Sequence, residues 1–258
     1  SNPNEKAKTL VKNVLRPFSK VYPTRLAACS EYAARWLFGD QVVDAKQVHI
    51  IHNAIDIDRF TFNSQSRAIK RDELGVGDSQ LLIAVRICFQ KNQTFTIKVF
   101  SELLKNNPSA VLAIVGDGDD SELRKEIHDL RIERNVKLLG IRDDVADYYS
   151  AFDILAFPST YEGLGMASIE AQAADLPVVC SDEVPKEADL IPSLVRRISL
   201  DAGFESWVSA FDVHESDASG RISHAQEMAK RGYAIHLSAA ELAHWYEELE
   251  GECDAQKD

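Results

Sequence analysis

From about residue 81 to residue 198 the chain alternates between short apolar runs and longer amphipathic stretches. The apolar runs are Leu81–Ile87, Ala110–Val115, Val136–Leu139, Ile154–Phe157 and Pro177–Cys180, with Val195–Ile198 as a candidate edge strand. Runs of this length without polar alternation fit strands buried on both faces. Between them, Gln93–Lys105 places Ile97, Phe100 and Leu104 on one helical stripe. Ser121–Ile132, Asp143–Ala151 and Gly165–Ala174 also read as helices. Six strands with intervening helices predict an α/β fold, a doubly wound parallel sheet of Rossmann-like type.

The two ends read differently. Residues 5–22 look helical with an interruption at Pro17, and Thr24–Cys29 is a short strand. Ser30 is placed to cap a helix over Glu31–Phe38 that Gly39 ends, and Val48–Ile51 opens a new unit. After residue 200, Ser206–Phe211, Ile222–Arg231 and Ala239–Leu249 read as helices separated by polar loops. The last carries Leu242, Trp245, Tyr246 and Leu249 on one face, which predicts docking on residues 5–38 or a homodimer through this helix. The expected organisation is residues 1–47, a central unit over 48–200, and C-terminal helices over 201–258.

Composition narrows the function. A formal charge of −12 argues against bulk attraction to nucleic acid or anionic lipid, so any anion must be bound by local design. No apolar run approaches membrane-spanning length. The four cysteines are far apart and most lie in apolar surroundings, which reads as reduced thiols of a cytoplasmic protein. The seven histidines include no H-E-x-x-H spacing, and no structural metal is expected.

The chemistry concentrates in Tyr161–Asp182, a glycine-rich turn, helix and strand that follow the run Ile154–Phe157. Gly163 and Gly165 leave backbone amides open at a helix start, where the dipole favours an anion. Glu162 precedes that start, and Glu170 lies roughly 7–8 Å along the axis. A phosphate at the helix mouth would then have a carboxylate on either side, the layout of sugar, diphosphate and ribose. Alone, each glutamate also fits a dipole partner or a solvated side chain. The pair, with seven residues between its members, resembles the signature of the retaining GT-B glycosyltransferases of family 4, also called group 1. Glu162-Gly163 and Glu170-Ala171 stand in the family's E-G and E-A places.

Other motifs follow in the family's order. Arg86 ends a buried strand and Lys91 opens the next helical region; they match the family's diphosphate-binding pair, although strand-end charges are often merely solvated. Val115-Gly116-Asp117-Gly118-Asp119-Asp120 invites a dinucleotide fingerprint, but the third glycine is absent and the aspartates oppose a pyrophosphate. The resemblance makes it a donor loop, with Gly116 and Gly118 giving the ligand room. Asp117 and Asp119 form a D-x-D pattern where the family uses no metal. Gly140, Ile141 and Val145 resemble the loop that receives the nucleobase; a plain turn with Asp143 as N-cap explains the same residues. Ala54 replaces the usual glycine of N-G-I-D, and Asp175 the glycine after the signature helix.

The resemblance implies a GT-B C-terminal domain, the donor half of a two-domain enzyme, preceded by a remnant of the acceptor domain. Glu162 would orient donor-sugar hydroxyls and Glu170 would hold the ribose diol. Arg86 and Lys91, with the amides of Gly163, Leu164, Gly165, Met166 and Ala167, would hold the diphosphate. The donor would be a UDP- or GDP-sugar, with no cofactor and no metal required. The acceptor would be a glycan or lipid-linked glycan held by the other domain, with the full-length protein peripheral at the inner membrane face. The stretches ACSEYAARWLFG, NAID and EAQAADLPVVCSD look most like bacterial capsular or exopolysaccharide transferases. A non-catalytic nucleotide-sugar-binding module, or a related sugar epimerase or phosphorylase, is the alternative.

Overall fold

The computed structural model describes residues 22–78, 80–86, 92–116, 118, 120–211 and 220–255, with isolated positions at 15 and 18; for 85, 86 and 252–255 it describes the backbone alone. The helix predicted over residues 5–22 lies almost wholly outside the described residues, as do Lys91, Asp117 and Asp119.

Strand β1 (Leu26–Ala28) leads into helices α1 (Glu31–Phe38) and α2 (Asp40–Asp44), then strand β2 (Val48–Ile50). Ser30 caps α1: its Oγ accepts the Ala33 N–H at 3.0 Å, and Gly39 closes the helix with its N–H on the Arg35 carbonyl. β2 pairs in parallel with β1, Leu26 opposite Val48, in a two-stranded sheet separate from the larger one. Helices α3 (Ile57–Phe60) and α4 (Ser64–Leu74) follow. Sequence reading missed α4 because its inward face carries arginines instead of an apolar stripe. Arg71, 1% exposed, donates to the Ala151 carbonyl at 2.9 Å and to Asp153 at 3.0 Å, and Arg67 reaches Asp153 at 2.8 Å. Asn63 and Gly75 (φ 65°) cap the two ends of α4.

The main sheet comprises β3 (Leu82–Arg86), β4 (Val111–Val115), β5 (Val136–Gly140), β6 (Ile154–Phe157), β7 (Val178–Ser181) and β8 (Val195–Ile198). The crossovers include α5 (Gln93–Leu103), α6 (Ser121–Asp129), α7 (Val145–Ala151) and α8 (Met166–Ala173). All pairings are parallel and the spatial order is β5-β4-β3-β6-β7-β8. The chain therefore winds outward from β3 to one edge, then restarts beside β3 with β6 and winds to the other. The order reverses between β3 and β6, where open sheets of this kind leave a crevice at the strands' carboxyl ends.

Both faces are covered, which is why the strands read as unbroken apolar runs. Leu82, Ala84, Leu155, Phe157, Val178 and Cys180 enter one cluster with Tyr148, Tyr149 and Ile169. Ile83, Leu112, Ile114, Ile154, Ala156 and Val179 enter the other with Ile97, Phe100 and, from helix α9 (Phe204–Ala210), Trp207.

The tail returns to the start of the chain. Asp175 takes a left-handed conformation (φ 52°) after α8, and its carboxylate accepts the Ile222 N–H and meets His224 Nε2, both at 2.7 Å. That substituted position therefore anchors the segment leading into helix α10 (Ala225–Lys230). Ile55 then exchanges backbone hydrogen bonds with Tyr233 and Ile235, where helix α11 (Ile235–Ala255) begins. Trp245 stacks on His49 at a centroid distance of 4.8 Å and Tyr233 on His52 at 4.6 Å. The last helix thus docks on the crossing segment 49–55; of the residues 5–38 expected to receive it, 5–14, 16, 17 and 19–21 lie outside the described residues. Trp245, Leu242 and Leu249 are half-buried while Tyr246 stays 57% exposed.

Cys180 is fully buried, and burial pushes its thiol up from an ordinary value near 9 to about 12. The unfolded chain loses this proton first, so the associated stability is intact below pH 9 and is lost between pH 9 and 12. Burial raises Tyr233 to about 12 as well, which acts in the same direction. Urea unfolding should show stability falling by up to about 1.4 kcal/mol per pH unit above pH 9 through the thiol, with a shallower fall in Cys180→Ala. Equal slopes for the two proteins would refute this assignment.

Candidate active site

β6 runs into Pro158 and Ser159, both buried, and the chain then turns through Glu162–Gly165 to start α8. Gly165 has φ +98°, and a Cβ there would sit 3.3 Å from both the Phe157 ring and Val184. It therefore needs glycine on two counts, backbone conformation and close approach. Gly163 differs: it is exposed, and a Cβ there would meet nothing within 4 Å.

Both glutamates are held by buried hydroxyls. Ser159, fully buried, donates from Oγ to Glu162 Oε1 at 2.7 Å, and its own carbonyl accepts the Ser181 hydroxyl at 2.5 Å. Glu162 is 9% exposed. One and a half turns into α8, Glu170 Oε2 accepts a 2.8 Å hydrogen bond from the hydroxyl of Tyr149, a buried residue of α7. α8 packs closely because Ala167, Ser168, Ala171 and Ala173 are small and buried. Gln172 on its inner side donates to the Ala188 carbonyl at 2.7 Å and accepts the Ile191 N–H at 2.7 Å, fixing the loop after β7.

Arg86 is the last residue of β3, opposite Val115, at the carboxyl end of the strand beside β6. A register shift at Ile114/Val115 brings the loops after β4 and β5 together, with the Gly116 N–H on the Gly140 carbonyl at 2.9 Å. Gly118 is exposed in the same turn. Gly140 has φ 65°, Ile141 is 67% exposed, and Val145 packs partly into the core. The N-cap of α7 is Asp144, not Asp143, and its carboxylate makes no cap bond. It instead meets Lys70 of α4 at 2.7 Å, which holds its pKa below the ordinary value. Ala54 is not among the positive-φ residues, so the crossing needs no glycine there.

The end of β3 and the loop that follows β6 thus lie side by side, with Glu162, Gly163, Leu164, Gly165, Met166 and Ala167 at the reversal of strand order. A separate cleft of about 530 Å³ runs along the open edge of β5. It takes in Leu139, Arg142 and Tyr148 but neither Glu162 nor Glu170, so it does not lie at the start of α8. Among the described residues, no cluster of three or more His, Cys, Asp or Glu could hold a metal ion, and no helix is long and apolar enough to cross a membrane.

The family described as "Glycosyl transferases group 1" matches residues 65–234, about two thirds of the chain and the whole of this edge. The chain belongs to that family. It is 29% identical over 229 residues to the glycosyltransferase EpsF of Bacillus subtilis (strain 168), covering 86% of this chain and 59% of that protein. It is 27% identical over 183 residues to the Escherichia coli UDP-Gal:alpha-D-GlcNAc-diphosphoundecaprenol alpha-1,3-galactosyltransferase, covering 69% and 47%. The crystal structure of Anabaena HepE in complex with UDP and glucose superposes with a TM-score of 0.74 at 19% identity, over 91% of this chain and 66% of that one. The fold is therefore that of the GT-B glycosyltransferases. The chain spans about half to three fifths of the length of these two curated relatives.

Sequence reading singled out Glu162 and Glu170 but not the hydroxyl groups that hydrogen-bond to them. Ser159 and Tyr149 carry no local motif, and Tyr149 reaches Glu170 from another helix. At Gly165, alanine should cost about 2 kcal/mol through positive φ and crowding, whereas Gly163→Ala should change stability by no more than about 0.5 kcal/mol. Urea unfolding of the two variants measures the contrast, and equal losses would contradict it.

Proposed function

We propose that this chain is the donor-binding half of a retaining glycosyltransferase acting on a UDP- or GDP-sugar. One observation carries the proposal: two carboxylates, each oriented by a buried hydroxyl, flank a glycine-started helix N-terminus at the reversal of strand order. The positive end of α8 suits a diphosphate. Glu170 suits the ribose diol, because a carboxylate can accept from two neighbouring hydroxyls. Glu162, at the outer end, suits the hydroxyls of the donor sugar.

In the reaction the bond from the sugar's anomeric carbon to the diphosphate breaks, and a bond to the acceptor hydroxyl oxygen forms. The acceptor proton is released, and negative charge grows on the departing diphosphate. Arg86, Lys91 and the amides at Gly165–Ala167 would stabilise that charge. These positive groups make a metal ion unnecessary in this reading. Gly116 and Gly118 would leave room for the donor, and Gly140, Ile141 and Val145 would take the base. The E. coli relative's name specifies a UDP-sugar and a diphosphoundecaprenol-linked acceptor, and the HepE structure contains UDP and glucose, which supports UDP as the nucleotide here. A glycan or lipid-linked acceptor would be held by a domain equivalent to the remaining length of the relatives. The capsular or exopolysaccharide role and a cytoplasmic site at the inner membrane face rest on the sequence resemblance.

UDP or GDP should bind the chain in calorimetry, equally well with or without EDTA. Lys91→Ala should weaken binding about ten-fold or more. Glu170→Gln should cost UDP more than it costs 2′-deoxy-UDP. Unchanged affinity in Lys91→Ala, or equal losses for the two nucleotides in Glu170→Gln, would remove those roles.

A further inference from the structure

Gly163 lies between Glu162 and the amides of the helix mouth, yet packing does not fix it. It is exposed, lacks a side chain, and has no neighbour within 4 Å of where a Cβ would be. A glycine so placed has a wide choice of backbone conformations. What holds its carbonyl comes from far away in the sequence: the hydroxyl of Ser30 donates to it at 3.0 Å across 133 residues.

Ser30 is fully buried and caps α1 with the same oxygen, which accepts the Ala33 N–H at 3.0 Å. One hydroxyl proton and one lone pair are thus both committed. The start of α1 is gripped again by Glu187, from the segment after β7. Its two carboxylate oxygens accept the Glu31 and Tyr32 N–H groups, each at 2.9 Å. The start of α1 is therefore held by the signature loop through Ser30 and by the segment after β7 through Glu187, and the hydroxyl that starts the helix also orients the loop. Because a trans peptide is planar, fixing the Gly163 carbonyl also fixes the Leu164 N–H, which points the opposite way.

We infer that Ser30 is a positioning residue for the donor site: it sets the Gly163–Leu164 peptide, so nucleotide affinity depends on how α1 is seated. This rests on the donor-binding reading above. It adds that residues ahead of the six-stranded sheet, outside the signature, tune that site.

The test is UDP calorimetry with thermal unfolding on the 258-residue chain and its variants. Ser30→Ala should weaken UDP binding about three- to ten-fold and lower the Tm by about 2–4 °C. Ser30→Thr, which keeps the hydroxyl, should restore affinity to within about two-fold. Asn63→Ala removes the corresponding cap from α4, where Asn63 accepts the Ser66 N–H at 2.9 Å; it should lower the Tm without changing affinity. Should Ser30→Ala fail to fold, Glu187→Ala loosens the same seat and should weaken UDP about two- to five-fold. If the parent chain binds UDP and these substitutions leave affinity unchanged, Ser30 is only a helix cap and the inference falls. If the parent binds neither UDP nor GDP, the donor reading falls and takes the inference with it.

Discussion

Everything functional in this chain follows from burying a parallel sheet on both faces. Once helices cover Leu82, Ala84, Leu155 and Phe157 on one side and Ile83, Ile154 and Ala156 on the other, the sheet can meet a ligand only at its edges and strand ends. The return of the chain from β5 to β6 then decides which strand ends matter. It separates two crossovers that would otherwise crowd together, and the gap falls where β3 ends at Arg86 and β6 runs into the signature loop. The strands are thus apolar for the same reason that the chemistry lies in loops.

Hydroxyl groups hold parts of those loops in place. Ser159 and Ser181 stand behind Glu162, Tyr149 stands beside Glu170, and Ser30 orients Gly163. Neutral donors suit this task. A neutral donor fixes the direction of a carboxylate or carbonyl without itself adding charge. The arginines are used elsewhere: Arg67, Arg71 and Arg221 collect the carbonyls at the end of α7 and the carboxylate of Asp153. This polar cluster holds α4 against α7 in place of an apolar seam. Breaking one side of such a buried pair typically costs about 3–5 kcal/mol.

Much of this was legible in the sequence where local chemistry determines structure. The unbroken runs gave the six strands, Ser30 and Gly39 bounded α1, and the glycines beside Glu162 marked the turn that starts α8. Legibility ended where a residue's partner is distant. α4 escaped because Arg67 and Arg71 point inward, which no hydrophobic pattern reveals; only its caps, Asn63 and Gly75, marked it. With α4 unseen, Lys70 was unseen too, so Asp144 could not be recognised as an ion-pair partner. β2 read as the start of a unit because strand pairing is not a local property. Of the apolar face read on the last helix, Leu242, Trp245 and Leu249 are half-buried while Tyr246 is exposed, and the stacking on His49 depends on a ring that hydropathy does not count as apolar.

A crystal structure of the chain with UDP is the direct test of a nucleotide-diphosphate site at the start of α8. The diphosphate should lie on the amides there, within about 3 Å, with both ribose hydroxyls on the Glu170 carboxylate. UDP lodged instead in the cleft along the edge of β5, or a diphosphate clear of α8, would contradict it.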